Sequence, residues 1–294
     1  MKLVSIPANP VPEGAVTGML KTADGVKVRF ARFAPPPGRR GTVCIFPGRT
    51  EWIEKYFETV RDLRSRGFAA TVLDWRGQGL SQRALSDRHK GYVRNFSEFD
   101  TDLETLMREV VLRAIARGQR WFDRVVFSAP MLGIAFVQST ALAGTLLRLL
   151  RFGGLGGMYV PGRFPGVLDL RPFAGNIITS DPVRYARNAA ILEAEPALGL
   201  GGPTITWCDA AFRAMRAINE PSFIGRVRQP ILIIAAGRDV IVSNSRIEDF
   251  AMQMRAGSHL VVVGSQHELL MEQDRYRSQF WAAFDAFVPG TPLF

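Results

Sequence analysis

Short runs of uninterrupted apolar residues alternate along this chain with stretches whose apolar residues recur at a helical period. That alternation restricts the fold more than any other feature. "KVRFARF", from Lys27, reads as an early strand, and "GTVCIFPG", from Gly41, as a five-residue strand closed by a Pro-Gly turn. "IEKYFETVRDLRSRG" then has a helical period and stops at Gly67, and "FAATVLDWRGQG" follows as a second buried strand with a glycine-rich loop. Much later, "PILIIAAGRD" and "HLVVVGSQHE" repeat the strand-then-loop pattern. Strands that lack polar alternation are covered on both faces, so this order gives an α/β fold with a mainly parallel sheet and helices on both sides. Ligands bind such sheets at the C-terminal ends of the strands, where the polar residues of these runs gather.

Between Met131 and Arg228 the texture changes. An apolar run broken by glycine and proline leads into the helical segments "DPVRYARNAAILEAEP" and "WCDAAFRAMRAINEP", with no strand between them. The expected organisation is a discontinuous sheet core, residues 1–131 and 228–294, with a helical cap or lid inserted at 132–227.

Composition narrows the function. With 294 residues, 47% of them hydrophobic, the chain has ample apolar material for a large core. Its first thirty residues carry no basic-then-apolar signal region, and no run reaches the roughly 18 apolar residues that a membrane span needs, so a cytoplasmic location is expected. Two cysteines, Cys44 and Cys208, are too few for a disulfide framework, and three scattered histidines form no metal-ligand cluster. No metal and no organic cofactor is implied. The net charge of +10 would suit an anionic partner, but the arginines are scattered and no nucleic-acid-binding signature is present. A solvated basic surface, or peripheral contact with anionic lipids at the inner face of a membrane, is the expectation.

Five blocks, "FPGRTEWIEKYFE", "LDWRGQGLS", "SAPM", "AAGRDVIVS" and "GSQHELLMEQD", occur in this order. Together they resemble the α/β-hydrolase fold, and more closely the bacterial lysophospholipase and monoacylglycerol-lipase branch of the serine hydrolases, over residues 14–287. The resemblance implies hydrolysis of a small acyl ester or lysophospholipid. That chemistry needs a nucleophilic hydroxyl, a histidine to take its proton, a carboxylate to orient the histidine, and N–H donors for the oxyanion. By resemblance, Asp239 after "IIAAGR" is the acid and His267 in "GSQHE" is the base. The 28 positions between them leave room for one helix and one strand, which return both to the same sheet edge. Arg49, in the loop after "TVCIF", is the implied oxyanion donor through its backbone N–H; most relatives carry His-Gly where this chain has Pro47-Gly48. "DWRGQGLS" occupies a block that shapes this loop and is not catalytic.

The nucleophile of this family sits on a Gly-x-Ser-x-Gly elbow between a central strand and a helix. No such motif occurs anywhere in the chain. Its place lies between the helix that starts near Ser97 and the strand ending in "SAP", where the 14 residues from Val111 to Arg124 are too few for a strand, a turn and a helix. One central strand is therefore expected to be missing. Ser97 with Asp100 looks like a capping box and Gly118 like a stop, so one helix over 97–118 is expected to join the flanking strands, with 124–128 pairing directly to 42–46. Three readings follow. The chain is a lysophospholipase-like ester hydrolase inactivated by the loss, or a hydrolase-fold protein that binds a lipid or small apolar ligand under its cap without turnover, or an esterase with a substitute hydroxyl. Ser128, at the end of its strand, is the candidate for the last, although Ala129-Pro130 and not a glycine follow it.

Overall fold

The computed structural model of the chain describes residues 2–38, 40–111, 121–137, 140–162 and 166–288. Among the described residues seven strands and eight α-helices follow one another. The first half contains β1 (Ala15–Lys21), β2 (Lys27–Phe33), β3 (Gly41–Ile45), α1 (Phe57–Ser65), β4 (Phe68–Asp74), α2 (Ser97–Leu106) and β5 (Val125–Ser128). Then come α3 (Thr140–Leu150), α4 (Pro182–Ala194), α5 (Ile205–Ile218) and α6 (Pro221–Ile224). Finally β6 (Ile231–Ala236), α7 (Asn244–Gln253), β7 (Gly257–Val262) and α8 (Asp274–Phe287) close the chain. This is the α/β class expected from the alternation. Two compact units make it up: Met1–Gly118 with Leu146–Arg171 and Arg187–Ala211, and Gln119–Thr145 with Pro172–Ala186 and Phe212–Phe294.

The first unit holds a four-stranded sheet in the order β1-β2-β4-β3. β1 pairs antiparallel with β2, β2 antiparallel with β4, and β3 parallel with β4 from Gly41↔Phe68 to Ile45↔Val72. All seven residues of β4 are buried, its apolar residues with Thr71 and, at its end, Asp74. The amphipathic α1 turns Phe57, Val60 and Leu63 inward and ends at Gly67, whose φ of +86° is a left-handed stop that glycine adopts without strain.

Polar groups also organise this unit's core. Arg29, fully buried on β2, donates its Nε to Asp74 (2.7 Å) and both Nη atoms to Glu54 (2.8 and 2.7 Å). Asp74 also accepts the backbone N–H of Ile53 (2.9 Å) and of Leu80 (2.9 Å). A Cβ on Gly79 would sit 2.1 Å from the Asp74 carboxylate, so the second glycine of "RGQG" is there to let the loop close over that group. The block read as loop-shaping is indeed a hydrogen-bonded hub.

The second unit holds a three-stranded, all-parallel sheet in the order β5-β6-β7. Its centre, β6, is buried at every position and is flanked by Val125–Ser128 on one side and Gly257–Val262 on the other. Ile231, Ile233, Ile247 and Phe250 pack with Leu132 and Ile224 in one cluster, and α8 contributes Phe280, Trp281 and Phe284 at i, i+1 and i+4.

Two expectations about the shortened region are corrected. The ladder expected between 42–46 and 124–128 is not formed: among the described residues β3 is hydrogen-bonded to β4 alone and β5 to β6 alone. Within its own unit each sheet is packed by helices, α1 against β4 and α7 against β6 and β7. Ser97 is also not a capping residue. It is the first residue of α2, its N–H is held by Asn95 Oδ1 (3.4 Å), and Glu98 accepts the N–H groups of Arg94 and Asn95. α2 passes into a wider π-type turn, Met107–Val111. The remainder of the expected 97–118 helix lies outside the described residues. No described helix is long and apolar enough to cross a membrane.

Candidate active site

The strands of the second unit deliver Asp239 and His267 to one another. Asp239 follows β6 after Gly237 and Arg238, and His267 follows β7 after the Gly264 turn. The two loops are stitched by Gly237 N–H to Val262 O (3.0 Å) and Arg238 N–H to Ser265 O (2.8 Å). A Cβ on Gly237 would lie 3.0 Å from Val262 O and Val263 Cα, so the absent side chain is what permits this approach.

His267 Nδ1 lies 2.7 Å from Asp239 Oδ2, and the Asp239 side chain is wholly buried while that of His267 is one-quarter exposed. Asp239 Oδ1 accepts the N–H groups of Ile241 (2.8 Å) and Val242 (3.0 Å). The same turn is fastened to the segment after β5 by Ala135 N–H to Ile241 O (3.0 Å) and Ser243 N–H to Gly133 O (3.0 Å). A carboxylate with three such bonds is fixed in orientation, and an imidazole bonded through Nδ1 presents Nε2 as its basic nitrogen. Acid and histidine thus stand in the relation that general-base catalysis uses.

Sequence reasoning missed the residues that hold the histidine loop. The buried Glu272 accepts Gln266 N–H (2.6 Å), Ser180 N–H (3.0 Å), Ser180 Oγ–H (2.5 Å) and Gln273 N–H (3.1 Å). Glu268 N–H donates to Ile178 O (2.8 Å), and Thr179 Oγ donates to Met271 O (2.7 Å). Nothing in the sequence separates Glu272 from an ordinary solvated glutamate; its only signal is membership of the "GSQHELLMEQD" block.

In the first unit, the loop after β3 supplies Arg49. Gly48 N–H is taken by the Glu51 carboxylate and Thr50 N–H by Gln78 Oε1 (2.7 Å), whereas no hydrogen bond among the described residues engages the Arg49 N–H. Thr50 is held at φ +66°, a conformation that is strained for a β-branched residue, and its hydroxyl bonds Arg49 O (2.5 Å). Pro47, which replaces the usual histidine, keeps its carbonyl occupied by Trp75 Nε1 (2.8 Å). Glu51 also accepts Tyr56 Oη–H (2.6 Å), which makes it, with Gln78, an unforeseen organiser of this loop.

Ser128 ends β5 opposite Ile234 and is exposed; no hydrogen bond joins it to His267. Ala129 after it has φ +43°. Burial pushes the Cys44 thiol on β3 up to about 12, far from a nucleophile's range. No cluster of three or more metal-ligating side chains occurs among the described residues.

Comparison with known proteins fits this geometry. The family model described as Serine aminopeptidase, S33 matches residues 37–114 and, as a second stretch, 109–274. The two stretches overlap at 109–114. Lysophospholipase L2 of Escherichia coli (strain K12) is 30% identical over 286 aligned positions, which take in 87% of this chain and 82% of that protein. Probable lysophospholipase L2 of Haemophilus influenzae is 25% identical over 300 positions, covering 95% of this chain and 94% of its own. Among solved structures, a soluble variant of monoglyceride lipase from Saccharomyces cerevisiae in complex with a substrate analog superposes with a TM-score of 0.69 at 17% identity, covering 92% of this chain and 95% of that one.

Proposed function

The chain belongs to the serine aminopeptidase S33 family of α/β-hydrolases, in its lysophospholipase and monoacylglycerol-lipase-like branch, and from that premise we propose that it is a carboxylic ester hydrolase that has kept its acid and base and lost its nucleophile. The observation that carries the reading is the 2.7 Å bond between His267 and Asp239 in a sequence without Gly-x-Ser-x-Gly. In the complete reaction, His267 takes the proton of the attacking hydroxyl through Nε2 and Asp239 stabilises the imidazolium; the role of oxyanion donor falls to the Arg49 N–H by resemblance to the family alone. Without the serine there is no acyl-enzyme. The second oxyanion donor, which belongs to the residue after the nucleophile, goes with it. Loss of a triad member leaves at most about 10³–10⁴-fold catalysis over water, and loss of a donor removes about 10²–10³-fold more.

The experiment is repair. Inserting the strand-elbow-helix segment of a relative, with its serine, between Leu112 and Arg113 should give hydrolysis of lysophospholipid, monoacylglycerol or p-nitrophenyl esters that His267→Ala then abolishes. If the repaired chain works equally well without His267, the base is misassigned.

A second reading draws on the proposed cap, residues 132–227. Leu142, Leu146 and Leu149 on α3, with Phe152 just beyond, are 73%, 58%, 64% and 81% exposed. An apolar stripe at i, i+4, i+7 suits a lipid ligand or a lipid surface bound without turnover. Saturable lysophospholipid binding with no released fatty acid supports it; binding unaffected by Leu146→Ser and Leu149→Ser counts against it.

A further inference from the structure

The loop after β4 carries two arginines, Arg83 and Arg88, that reach the turn at 197–201 and form no ion pair among the described residues. Arg83 donates Nε to Arg88 O (3.1 Å) and Nη2 to both Ala197 O and Gly199 O (3.4 Å each). Arg88 donates Nη2 to the same Ala197 O (3.1 Å). Two guanidinium groups therefore meet at one neutral carbonyl oxygen. Neither forms an ion pair among the described residues, and the Arg83 Nη1 is buried without a hydrogen-bond partner. Asp74, the carboxylate that acts on Arg83 from nearby, is already bonded to Arg29.

Like charges gathered this closely repel, and a buried N–H donor on a cation costs stability until something accepts from it. Burial first, and then Arg88, press the Arg83 guanidinium down to about 10, as expected of a cation short of negative charge. Arg88 itself is exposed, so an incoming group can reach the pair from solvent. Arg49 repeats the pattern at the next carbonyl but one, with Nη2 on Gly201 O (2.5 Å), its guanidinium 5.2 Å from the centre of the Trp207 ring, and a buried Nε that has no partner.

We propose that Arg83 and Arg88 form a binding site for a phosphate group, the oxyanion whose several acceptor oxygens match two guanidinium forks at once. The ligand class is a phosphate monoester or diester, met either as a soluble metabolite or as the headgroup of a lipid. The site goes beyond the hydrolase reading and does not depend on a nucleophile.

The test uses the full chain, with glycerol 3-phosphate as the soluble probe, followed by isothermal titration calorimetry, and vesicles of phosphatidylglycerol in phosphatidylcholine as the lipid probe, followed by co-sedimentation. Saturable binding of either probe that falls at least tenfold in Arg88→Gln is expected, with Arg108→Gln, at an exposed position of the π-type turn after α2, binding as the unaltered chain does. Arg88 is exposed and its side chain makes one hydrogen bond, to Ala197 O, so its replacement leaves the fold intact; Arg83→Lys, which keeps the charge but not the fork, should weaken binding to a smaller degree. Binding of glycerol 3-phosphate identifies a soluble ligand, and binding of vesicles alone identifies a headgroup. No saturable binding of either probe, or equal binding by Arg88→Gln, overturns the proposal.

Discussion

Replacing Arg29 by methionine isolates the polar hub of the first unit. The guanidinium is fully buried between Glu54 and Asp74, both with fully buried side chains, and makes three bonds of 2.7–2.8 Å to them. Methionine fills part of the space but leaves two carboxylates facing one another without a cation. Breaking a buried ion pair by removing one partner costs about 3–5 kcal/mol, against a total stability of about 5–15 kcal/mol for a typical domain. The pH dependence has a definite sign. Burial already holds the Asp74 carboxyl above its ordinary range with Arg29 beside it, so without Arg29 it stands higher still. A folded-state pKa above the unfolded one means the folded form binds the proton more tightly, so stability is present at low pH and lost as pH rises through that pKa. Each unit of the additional elevation is worth about 1.4 kcal/mol. Urea unfolding of both proteins at neutral pH and near pH 5 should therefore show a deficit of about 3–5 kcal/mol that shrinks on acidification. A deficit below about 1 kcal/mol, or one that grows as pH falls, would refute the view of Arg29 as the counter-ion that this core requires.

Three further outcomes follow from particular contacts. Gly79→Ala places a methyl 2.1 Å from the Asp74 carboxylate in a residue at φ +49°, and should lower stability by several kcal/mol, on the order of 3, in the same unfolding assay. Glu272→Ala removes the acceptor of four hydrogen bonds around the His267 loop; hydrogen exchange at 265–273 should accelerate at least tenfold while that of β4 stays unchanged. The Cys44 thiol, pushed up to about 12 by burial, should resist a disulfide reagent at neutral pH in the native chain and react at once in denaturant.

The strands of the two sheet centres and the acid–histidine pair were legible because each is written in a local pattern. β6 is an unbroken apolar run and β4 a largely apolar one, and Asp239 and His267 follow strands that lie side by side. β1 escaped notice because "AVTGMLK", an edge strand against β2, carries neither clean alternation nor a buried run. The stabilisers of the two loops, Glu51, Gln78 and Glu272, were illegible for another reason: a loop carboxylate or amide reads as solvated until tertiary structure supplies its backbone donors. The expected ladder between 42–46 and 124–128 is not formed, and nothing local marks the true partners: pairing between strands distant in sequence leaves no periodic signature, and among the described residues β3 bonds to β4 and β5 to β6.

Fluorophosphonate labelling of the purified chain, read by intact mass and peptide mapping, tests the central claim that acid and base survive without a nucleophile. The account predicts the unlabelled mass throughout, alongside stoichiometric labelling at the inserted serine of the repaired chain. Stoichiometric labelling of the chain as it stands, at Ser128 or any other hydroxyl, would contradict it.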